Sequence, residues 1–279
     1  MGDDMIRCHG AKICSPFVSA SGSSDTIYYV SAGTGEVFEF RSPDSHTAIV
    51  FSGGEPSGAQ FDHRGRLHLA DSAHAAILRV DDSAQPGVMV KAYEDRAFRG
   101  PNGIAFADDD TLFFTDSGPL GETTLEKPRG SVFCIAFSPS GGQVLRPLMM
   151  ECLAHPWGIA VSPTTGVLLV AETMKNRILR LAQRPSNSYH ASVFHQFAGG
   201  MGPSGIACDA SGTLYVGHYD FSGSSTSTGK ISVISSDGLL LRTIGLPGTE
   251  ITGVCLSADG EFIIATEAST NSIHRVPIR

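Results

Sequence analysis

Residues 156–181 read PWGIAVSPTTGVLLVAETMKNRILRL, and this stretch decides the fold. It opens with a proline-x-glycine phrase, passes through an apolar segment and a polar turn, and reaches a β-rich run at 167–171 followed by Glu172. A further apolar run follows at 177–181. The short runs alternate with a period of two rather than 3.6, which favours strands over an amphipathic helix.

The same order of features recurs along the chain. Clear copies of the phrase begin at Pro56, Pro101, Pro156 and Pro203, and degenerate copies are Ser15-Pro16-Phe17 and Ile251-Thr252-Gly253. The anchor positions 16, 56, 101, 156, 203 and 251 lie 40, 45, 55, 47 and 48 residues apart. Four short strands in a repeat of ~45 residues are typical of a propeller blade. The sequence therefore predicts an all-β, six-bladed β-propeller with four-stranded blades, in one domain over residues 1–279.

The last copy predicts how the ring of blades closes. It runs out after its third strand, at 272–276, so its fourth strand is missing. The segment 4–9 precedes the first inner strand and has no other assignment, and we expect it to complete blade six. Such a clasp removes the exposed strand edges that invite aggregation.

Composition and charge exclude several classes of protein. The chain is 41% hydrophobic and 17% charged, which argues against disorder, and its net charge of −8 argues against a nucleic-acid partner. Its apolar runs are far shorter than the ~20 residues of a membrane span. The six cysteines form no C-x-x-C pair and the acidic start has no signal peptide, so we expect reduced thiols and a cytoplasmic location. We expect a monomer that has no membrane partner.

The motifs resemble NHL repeats and their enzymatic relatives. Asp71-Ser72-Ala73-His74 is similar to the ending of an NHL repeat, and 171–180 is similar to a phrase of strictosidine synthase-like proteins. Pro101-Asn102-Gly103, followed by Phe114-Thr115-Asp116-Ser117, is similar to both that family and the gluconolactonase (senescence marker protein) family. The resemblance covers nearly the whole chain and identifies the superfamily better than it identifies a reaction.

The resemblance to gluconolactonases implies one divalent cation at the top of the central channel, held by residues at the starts of inner strands. The matching positions here are Cys14, Asn102, Trp157 and Ser204. Ca²⁺ prefers several oxygen ligands, preferably carboxylates, and only Asn102 matches the family's ligand set. We therefore expect any cation such as Ca²⁺ to bind weakly, through Asn102 with waters or nearby carboxylates.

The repeat places two rings of residues on one face, because the second strand of each blade returns antiparallel to the start of the first. The predicted inner ring is Phe17, Ser57, Asn102, Trp157, Ser204 and Thr252. The predicted outer ring is Ser31, Asp71, Asp116, Glu172, His218 and Glu267. The residues just before three of the inner phrases are expected to point toward the same face, and they are Glu55, His155 and Glu250.

These residues supply the candidate site. We predict catalytic roles, as general acids or bases, for His218, His155, Asp116 and Glu172. We predict substrate contacts for Asn102, Trp157, Ser204, Glu55 and Phe17. Asn102 is also the predicted metal contact.

Each of these roles has a structural alternative. The outer-ring acids can instead accept N–H groups of the connections at strand ends. His218 can be a hydrogen-bonded structural histidine, Trp157 can plug the channel, and Asn102 can bridge neighbouring inner strands. No Gly-x-Ser-x-Gly motif, phosphate loop or H-x-x-x-H spacing singles out one chemistry.

Two insertions follow second strands and should overhang the same face. The first, 117–130, lies in blade three, and the second, 221–229, lies in blade five. Long loops in compact domains often act as lids or binding loops, and a solvated insertion is the alternative.

Two functions from different classes fit these observations. The first is a lactone or ester hydrolase-like enzyme that binds a small molecule at the channel mouth. The second is a non-catalytic NHL-type scaffold that binds a protein or peptide. A mouth lined by histidine and carboxylates favours the first, and loss of the expected metal ligands favours the second.

Overall fold

The structure is a computed structural model, and it describes residues 4–19, 26–42, 45–137, 142–185, 188–223 and 228–279. Six four-stranded antiparallel sheets form the six blades. The only helix within the described ranges is a 3-10 turn, Thr173–Lys175. The predicted all-β, six-bladed propeller is therefore confirmed.

The strands are numbered in chain order. A short strand, β1 (Asp4–Arg7), precedes blade one, which consists of β2 (Ile13–Phe17), β3 (Ile27–Ser31), β4 (Glu36–Ser42) and β5 (Ser45–Phe51). Blade two consists of β6 (Pro56–Phe61), β7 (Leu67–Asp71), β8 (Ala76–Val80) and β9 (Pro86–Val90), and is followed by a hairpin of β10 (Ala92–Tyr93) and β11 (Arg96–Ala97). Blade three consists of β12 (Pro101–Phe106), β13 (Leu112–Asp116), β14 (Gly130–Phe137) and β15 (Gln143–Leu153).

The remaining three blades follow the same order from the innermost strand outward. Blade four consists of β16 (Pro156–Val161), β17 (Leu168–Glu172), β18 (Arg177–Gln183) and β19 (Tyr189–Gln196). Blade five consists of β20 (Met201–Cys208), β21 (Leu214–Asp220), β22 (Gly229–Ile234) and β23 (Leu240–Leu246). Blade six consists of β24 (Ile251–Leu256), β25 (Phe262–Glu267) and β26 (Ser272–Pro277), with a fourth strand from elsewhere in the chain.

The ring closes through the N-terminal strand. β1 pairs antiparallel with β26, with Asp4 opposite Arg275 and Arg7 opposite Ser272. The pairing extends one residue further, because the Cys8 N–H donates to the Asn271 carbonyl at 2.8 Å. The predicted completion of blade six by the segment 4–9 is confirmed, and the outer edge of β26 is covered.

The proline-x-glycine phrase is explained by the contact between inner strands. In blade three the register shifts between Pro101 and Ile104, so the phrase forms a β-bulge. A Cβ atom at Gly58 would lie 2.0 Å from the Asn102 carbonyl oxygen of the next blade, and one at Gly103 would lie 2.5 Å from that of Trp157. Glycine is needed because the backbones of adjacent blades meet at this point.

Blade one corrects one member of the predicted inner ring. Ile13 pairs with Ser31, and the bulge lies between Cys14 and Phe17, so Cys14 occupies the middle position of the phrase. Phe17 lies three residues further along and is 1% exposed. Its ring stacks on Tyr28, with centroids 5.3 Å apart. The proline at position 16 misled the alignment of this degenerate copy, because it lies inside the bulge between Cys14 and Phe17, whereas Pro101 of blade three precedes its bulge.

The hydrophobic core lies between neighbouring blades. Between blades four and five, Leu169 and Ala171 of β17 pack with Leu214 and Val216 of β21. The second strands β7, β13 and β17 are buried along their whole length, which explains their nearly continuous apolar sequences. Burial of apolar surface on this scale, at about 25 cal/mol per Å², holds the blades together.

One element was not expected from the repeat. The hairpin of β10 and β11 lies in the connection between blades two and three, and its turn residues Glu94 and Asp95 have φ values of 47° and 62°. Within the described part of the chain, no helix is long and apolar enough to cross a membrane.

Candidate functional site

The six innermost strands surround a central channel with a volume of about 280 Å³. All six blades contribute to its lining, mostly with glycine and small or aliphatic side chains. The larger or polar side chains among the lining residues are Ser15, Phe17, Ser57, Gln60, Asn102, Phe106, Trp157 and Thr252. The register pairs Pro101 with Asp116 and Pro156 with Glu172, so inner-strand starts and second-strand ends share one face as expected.

A belt of hydrogen bonds joins neighbouring blades around the channel mouth. The Ser57 hydroxyl donates to the Pro101 carbonyl at 2.9 Å. The Ser204 hydroxyl donates to the Ile251 carbonyl at 2.5 Å, and Thr252 to the Ile13 carbonyl at 2.7 Å. The middle residue of the phrase therefore ties its blade to the next one. Ser204, a predicted substrate contact, is fully buried and has its hydroxyl committed to this belt.

Blades three and four depart from this pattern. The Thr115 hydroxyl donates to the Trp157 carbonyl at 2.7 Å, and the Thr173 hydroxyl donates to the Pro203 carbonyl at 2.8 Å. These threonines supply the bonds between blades, so the side chains of Asn102 and Trp157 take no part in the belt. Both side chains are half-buried and line the channel. Among the described residues, the Asn102 amide donates one long hydrogen bond, 3.3 Å, to the Ser117 hydroxyl of its own blade.

An aromatic strip runs outward from Trp157. Its ring centroid lies 5.6 Å from that of Tyr219, which lies 5.1 Å from that of Phe221. Burial and the neighbouring Glu250 carboxylate raise the pKa of Tyr219 to about 12. Sequence reasoning placed Phe221 at the start of an insertion over this face but missed Tyr219, although the alternation beyond His218 was a sign that β21 continues.

His155 lies beside Trp157 and is almost completely enclosed. Its ring meets the indole edge-on, with centroids 5.5 Å apart and planes at 82°. It is 2% exposed, and burial lowers its pKa to about 4. Its backbone N–H donates to the Thr123 hydroxyl at 3.1 Å, whereas its Nδ1 atom is buried and has no hydrogen-bond partner among the residues that the structure describes. The result is an imidazole that is neutral above pH ~4 and lies against Trp157 of the channel wall.

His218 does not face the channel as the repeat suggested. Its Nε2 atom lies 2.9 Å from the Ser232 hydroxyl of β22, and its ring contacts Phe197 edge-on at 4.6 Å. Burial, followed by the positive charge of Lys230, lowers its pKa to about 3. The channel lining includes neither His218 nor His155. The repeat correctly places His218 opposite Pro203, but the side chain points outward between strands.

The outer-ring acids hold the chain where it enters each blade. Asp116 accepts the N–H groups of Arg99 and Gly100 at 2.9 and 2.8 Å, and burial raises its pKa. Glu172 accepts the Ala154 N–H at 2.9 Å and forms ion pairs of 2.9 and 2.7 Å with Lys175 and Arg177.

Asp71 and Glu267 repeat this arrangement with the N–H groups of Glu55 and Glu250. These contacts support the structural alternative for the outer ring. The catalytic roles of Asp116 and Glu172 stay predictions to which the geometry adds nothing.

The remaining predicted features lie on the same face. Glu55 is exposed, and its N–H is held by Asp71 at 3.1 Å. Residues 117–129 connect β13 to β14 and reach His155 through Thr123, a residue that sequence reasoning missed because insertions have no counterpart in the repeat. Phe221 begins the second insertion and is 40% exposed, whereas residues 224–227 lie outside the described part of the chain.

The donor set does not fit the divalent cation that the resemblance implies. Cys14 has its thiol directed to the Pro56 carbonyl at 3.8 Å, and burial raises its pKa to about 12. Ser204 donates within the belt, and Trp157 has no oxygen to offer. Within the described ranges, no group of three or more His, Cys, Asp or Glu side chains is placed to hold a metal ion. Asn102 remains as a single amide ligand, and Ca²⁺ needs several oxygens.

The sequence and fold have clear relatives. The profile of the SMP-30/gluconolactonase/LRE-like region matches residues 18–269. A lactonase named drp35 from Staphylococcus aureus strain USA300 is 29% identical over 257 residues, covering 75% of each chain. The corresponding lactonase from Staphylococcus haemolyticus is 26% identical over 167 residues, 58% of this chain, and the match spans about half of that relative, 47%.

Solved structures share the fold at lower identity. A gluconolactonase from Xanthomonas campestris superposes with a TM-score of 0.79 at 21% identity, covering 99% of this chain and 89% of the other. Regucalcin from Agrobacterium tumefaciens, described as a calcium-binding protein, gives 0.76 at 17% identity, with 97% and 92% coverage. At these identities the likeness establishes the architecture alone.

Proposed function

Because the chain belongs to the SMP-30/gluconolactonase/LRE-like family, we propose that it hydrolyses a lactone or a related ester at the mouth of its channel. One observation supports this site above others. Asn102 and Trp157 are the two phrase residues whose side chains are left out of the hydrogen-bond belt and line the channel. Ligand sites typically combine apolar walls with a few polar groups, and this mouth offers both.

The reaction needs a wall, a hydrogen-bond donor and a base. Trp157 supplies the wall against the lactone ring. The Asn102 side-chain amide exchanges its 3.3 Å bond to Ser117 for one to the lactone carbonyl oxygen, where negative charge develops. His155, neutral above pH ~4, supplies the base through its unpartnered Nδ1 atom.

The proposed chemistry is a water-mediated ring opening. His155 accepts a proton from water as the water oxygen bonds to the lactone carbonyl carbon. The resulting tetrahedral oxyanion is held by Asn102. The imidazolium then returns the proton to the ring oxygen as the carbon–oxygen bond breaks, which yields the hydroxy acid. No step involves a cation, because the residues at the family's ligand positions do not suit one.

A panel of lactones, followed by acid release in a pH-stat, tests this function. The wild type should turn over at least one lactone, and Asn102→Ala should lower kcat by about 10²-fold, the usual effect of removing one oxyanion donor. Trp157→Ala should chiefly raise KM. Ser57→Ala is the matched control, because Ser57 holds the same ring position but donates to Pro101, and its loss should reduce stability rather than kcat.

A scaffold that binds a protein or peptide is the second candidate. It is favoured by the replacement of the family's ligand positions by Cys14, Trp157 and Ser204, and by the partly exposed ring of Phe221. Absence of turnover across the panel by a folded wild-type protein would shift the assignment to this function.

A further inference from the structure

The base of the proposed reaction has no open path to substrate. His155 is 2% exposed and is absent from the channel lining, although its ring touches Trp157, which is part of that lining. Its backbone N–H is bound by the Thr123 hydroxyl of the segment 117–129, which lies between β13 and β14. A lactone in the channel can reach the Nδ1 atom only if the residues around His155 move.

The segment 117–129 is held to the body of the protein at its middle. Thr123 is the one fully buried residue between 119 and 129, where its neighbours are exposed or half-buried. Its hydroxyl accepts the His155 N–H at 3.1 Å and donates to the Ser117 carbonyl at 2.9 Å. The Thr123 side chain therefore links the middle of the segment both to its first residue, Ser117, and to His155.

The two ends of the segment are also held, because the Gly118 N–H donates to the Gly100 carbonyl at 3.0 Å and the Arg99 Nε–H donates to the Arg129 carbonyl at 3.1 Å. The part between these ends is largely exposed. Leu120 and Leu125 are 49% and 61% exposed, and the ion pair of Glu122 with Arg99 spans 3.4 Å at the surface. Exposed pairs of this kind contribute little. Gly118 and Gly121 have φ values of 69° and 97°, so both ends of the turn before Thr123 sit in backbone regions that glycine enters freely.

The bond to Thr123 also fixes the backbone of His155. This residue has a φ of 54°, in the left-handed region that non-glycine residues rarely adopt. Strained residues of this kind persist when surrounding contacts determine their conformation. The Thr123 hydroxyl is such a contact, because it binds the N–H whose direction depends on that φ.

We propose that residues 117–129 form a lid over His155 and that Thr123 is its latch. In the closed state, Thr123 is a positioning residue that holds His155 against Trp157. In the open state, its two hydrogen bonds break and the histidine becomes accessible from the channel mouth. The catalytic role of this lid rests on the proposed function, but its movement is measurable without any substrate.

Carbethoxylation of histidines by diethylpyrocarbonate, read peptide by peptide by mass spectrometry, tests the latch in the full-length protein. Thr123→Val removes both hydrogen bonds at nearly constant shape and should speed modification of His155 at neutral pH at least tenfold. Thr123→Ser keeps the hydroxyl and should restore the wild-type rate. Leu125→Ala, a change in an exposed side chain of the same segment, is the matched control and should leave the rate unchanged.

Modification of His218 serves as an internal gauge of global unfolding, because it is fully buried elsewhere in the fold. If Thr123→Val speeds the modification of both His218 and His155, the comparison is repeated with Thr123→Ala, whose smaller side chain cannot crowd the site. Acrylamide quenching of Trp157, the single tryptophan of the chain, gives a second reading and should increase with the lid open.

Equal His155 modification in the wild type and in folded Thr123→Val or Thr123→Ala would overturn the latch. So would fast modification in the wild type, because it would mean that no lid covers the histidine. Failure of the proposed function would look different. In that case no lactone would be hydrolysed, while the valine and serine variants would still differ in His155 modification.

Discussion

At the scale of single residues, the middle position of each proline-x-glycine phrase decides what a blade contributes. Where it carries a small hydroxyl, as at Ser57 and Thr252, the side chain closes a hydrogen bond to the next blade. Where it carries Asn102 or Trp157, a threonine elsewhere makes the bond and the larger side chain faces the channel. The same backbone position thus either joins neighbouring blades by a hydrogen bond or places a side chain at the channel.

The fluorescence of Trp157 should report the ionisation of His155. Burial lowers the pKa of His155 to about 4, so the ring is neutral above that pH and charged below it. A charged imidazolium at the edge of an indole quenches its emission, and a neutral ring does not. We expect the emission of this single tryptophan to fall as the pH drops through about 4.

His155→Gln is the control for this titration and should show no step near pH 4 while far-ultraviolet circular dichroism confirms a folded state. A wild-type step centred near the ordinary histidine value of ~6.5 would mean that His155 is not enclosed as described.

The sequence predicted where residues lie along the strands, but it did not predict which way their side chains point. The repeat located Asn102 and Trp157 at the channel and His218 opposite Pro203, because strand spacing fixes where a residue lies along its strand. It could not tell that His218 turns outward to Ser232, since that depends on packing between strands. Phe17 was placed in the inner ring by mistake, because the proline of this degenerate copy lies inside the bulge rather than before it.

At the scale of elements, closure of the ring depends on the N-terminal strand. β1 covers β26 along four residue pairs, and without it blade six has three strands and an open edge. Deletion of residues 4–9 should lower stability by about 3 kcal/mol or more, a fall in Tm of roughly 6–12 °C for a domain of this size.

Differential scanning calorimetry measures this directly. Met5→Ala is the matched control, because that side chain is exposed within the same strand and its truncation should shift Tm by less than about 2 °C. A deletion variant with the same Tm as the wild type would show that β1 is not needed to close the ring.

The sequence did not predict the conformations of the elements that lie outside the repeat. The spacing of the copies predicted all six blades and the contribution of β1, because each blade repeats one pattern of strands and turns. The hairpin of β10 and β11 and the path of residues 117–129 have no second copy to compare with. Their conformations depend on single contacts, such as the hydrogen bond from His155 to Thr123, that no periodicity encodes.

At the scale of the whole molecule, six blades bring a small set of unlike side chains to one axis. The family resemblance would put a cation there, but the ring supplies Cys14, Asn102, Trp157 and Ser204 at the corresponding positions. Isothermal calorimetry with Ca²⁺ should therefore detect no binding tighter than about 100 µM. Micromolar binding that disappears in Asn102→Ala would contradict this interpretation of the donor set.

The central claim is that lactone hydrolysis at the channel mouth uses His155, and the most direct measurement compares two buried histidines. His155 touches the channel wall, whereas His218 is equally enclosed but faces Ser232. With the lactone that the wild type turns over best, kcat/KM of His155→Asn should fall by about 10²- to 10⁴-fold, and that of His218→Asn should stay within about threefold. Equal losses in the two variants, or a larger loss in His218→Asn, would contradict the claim.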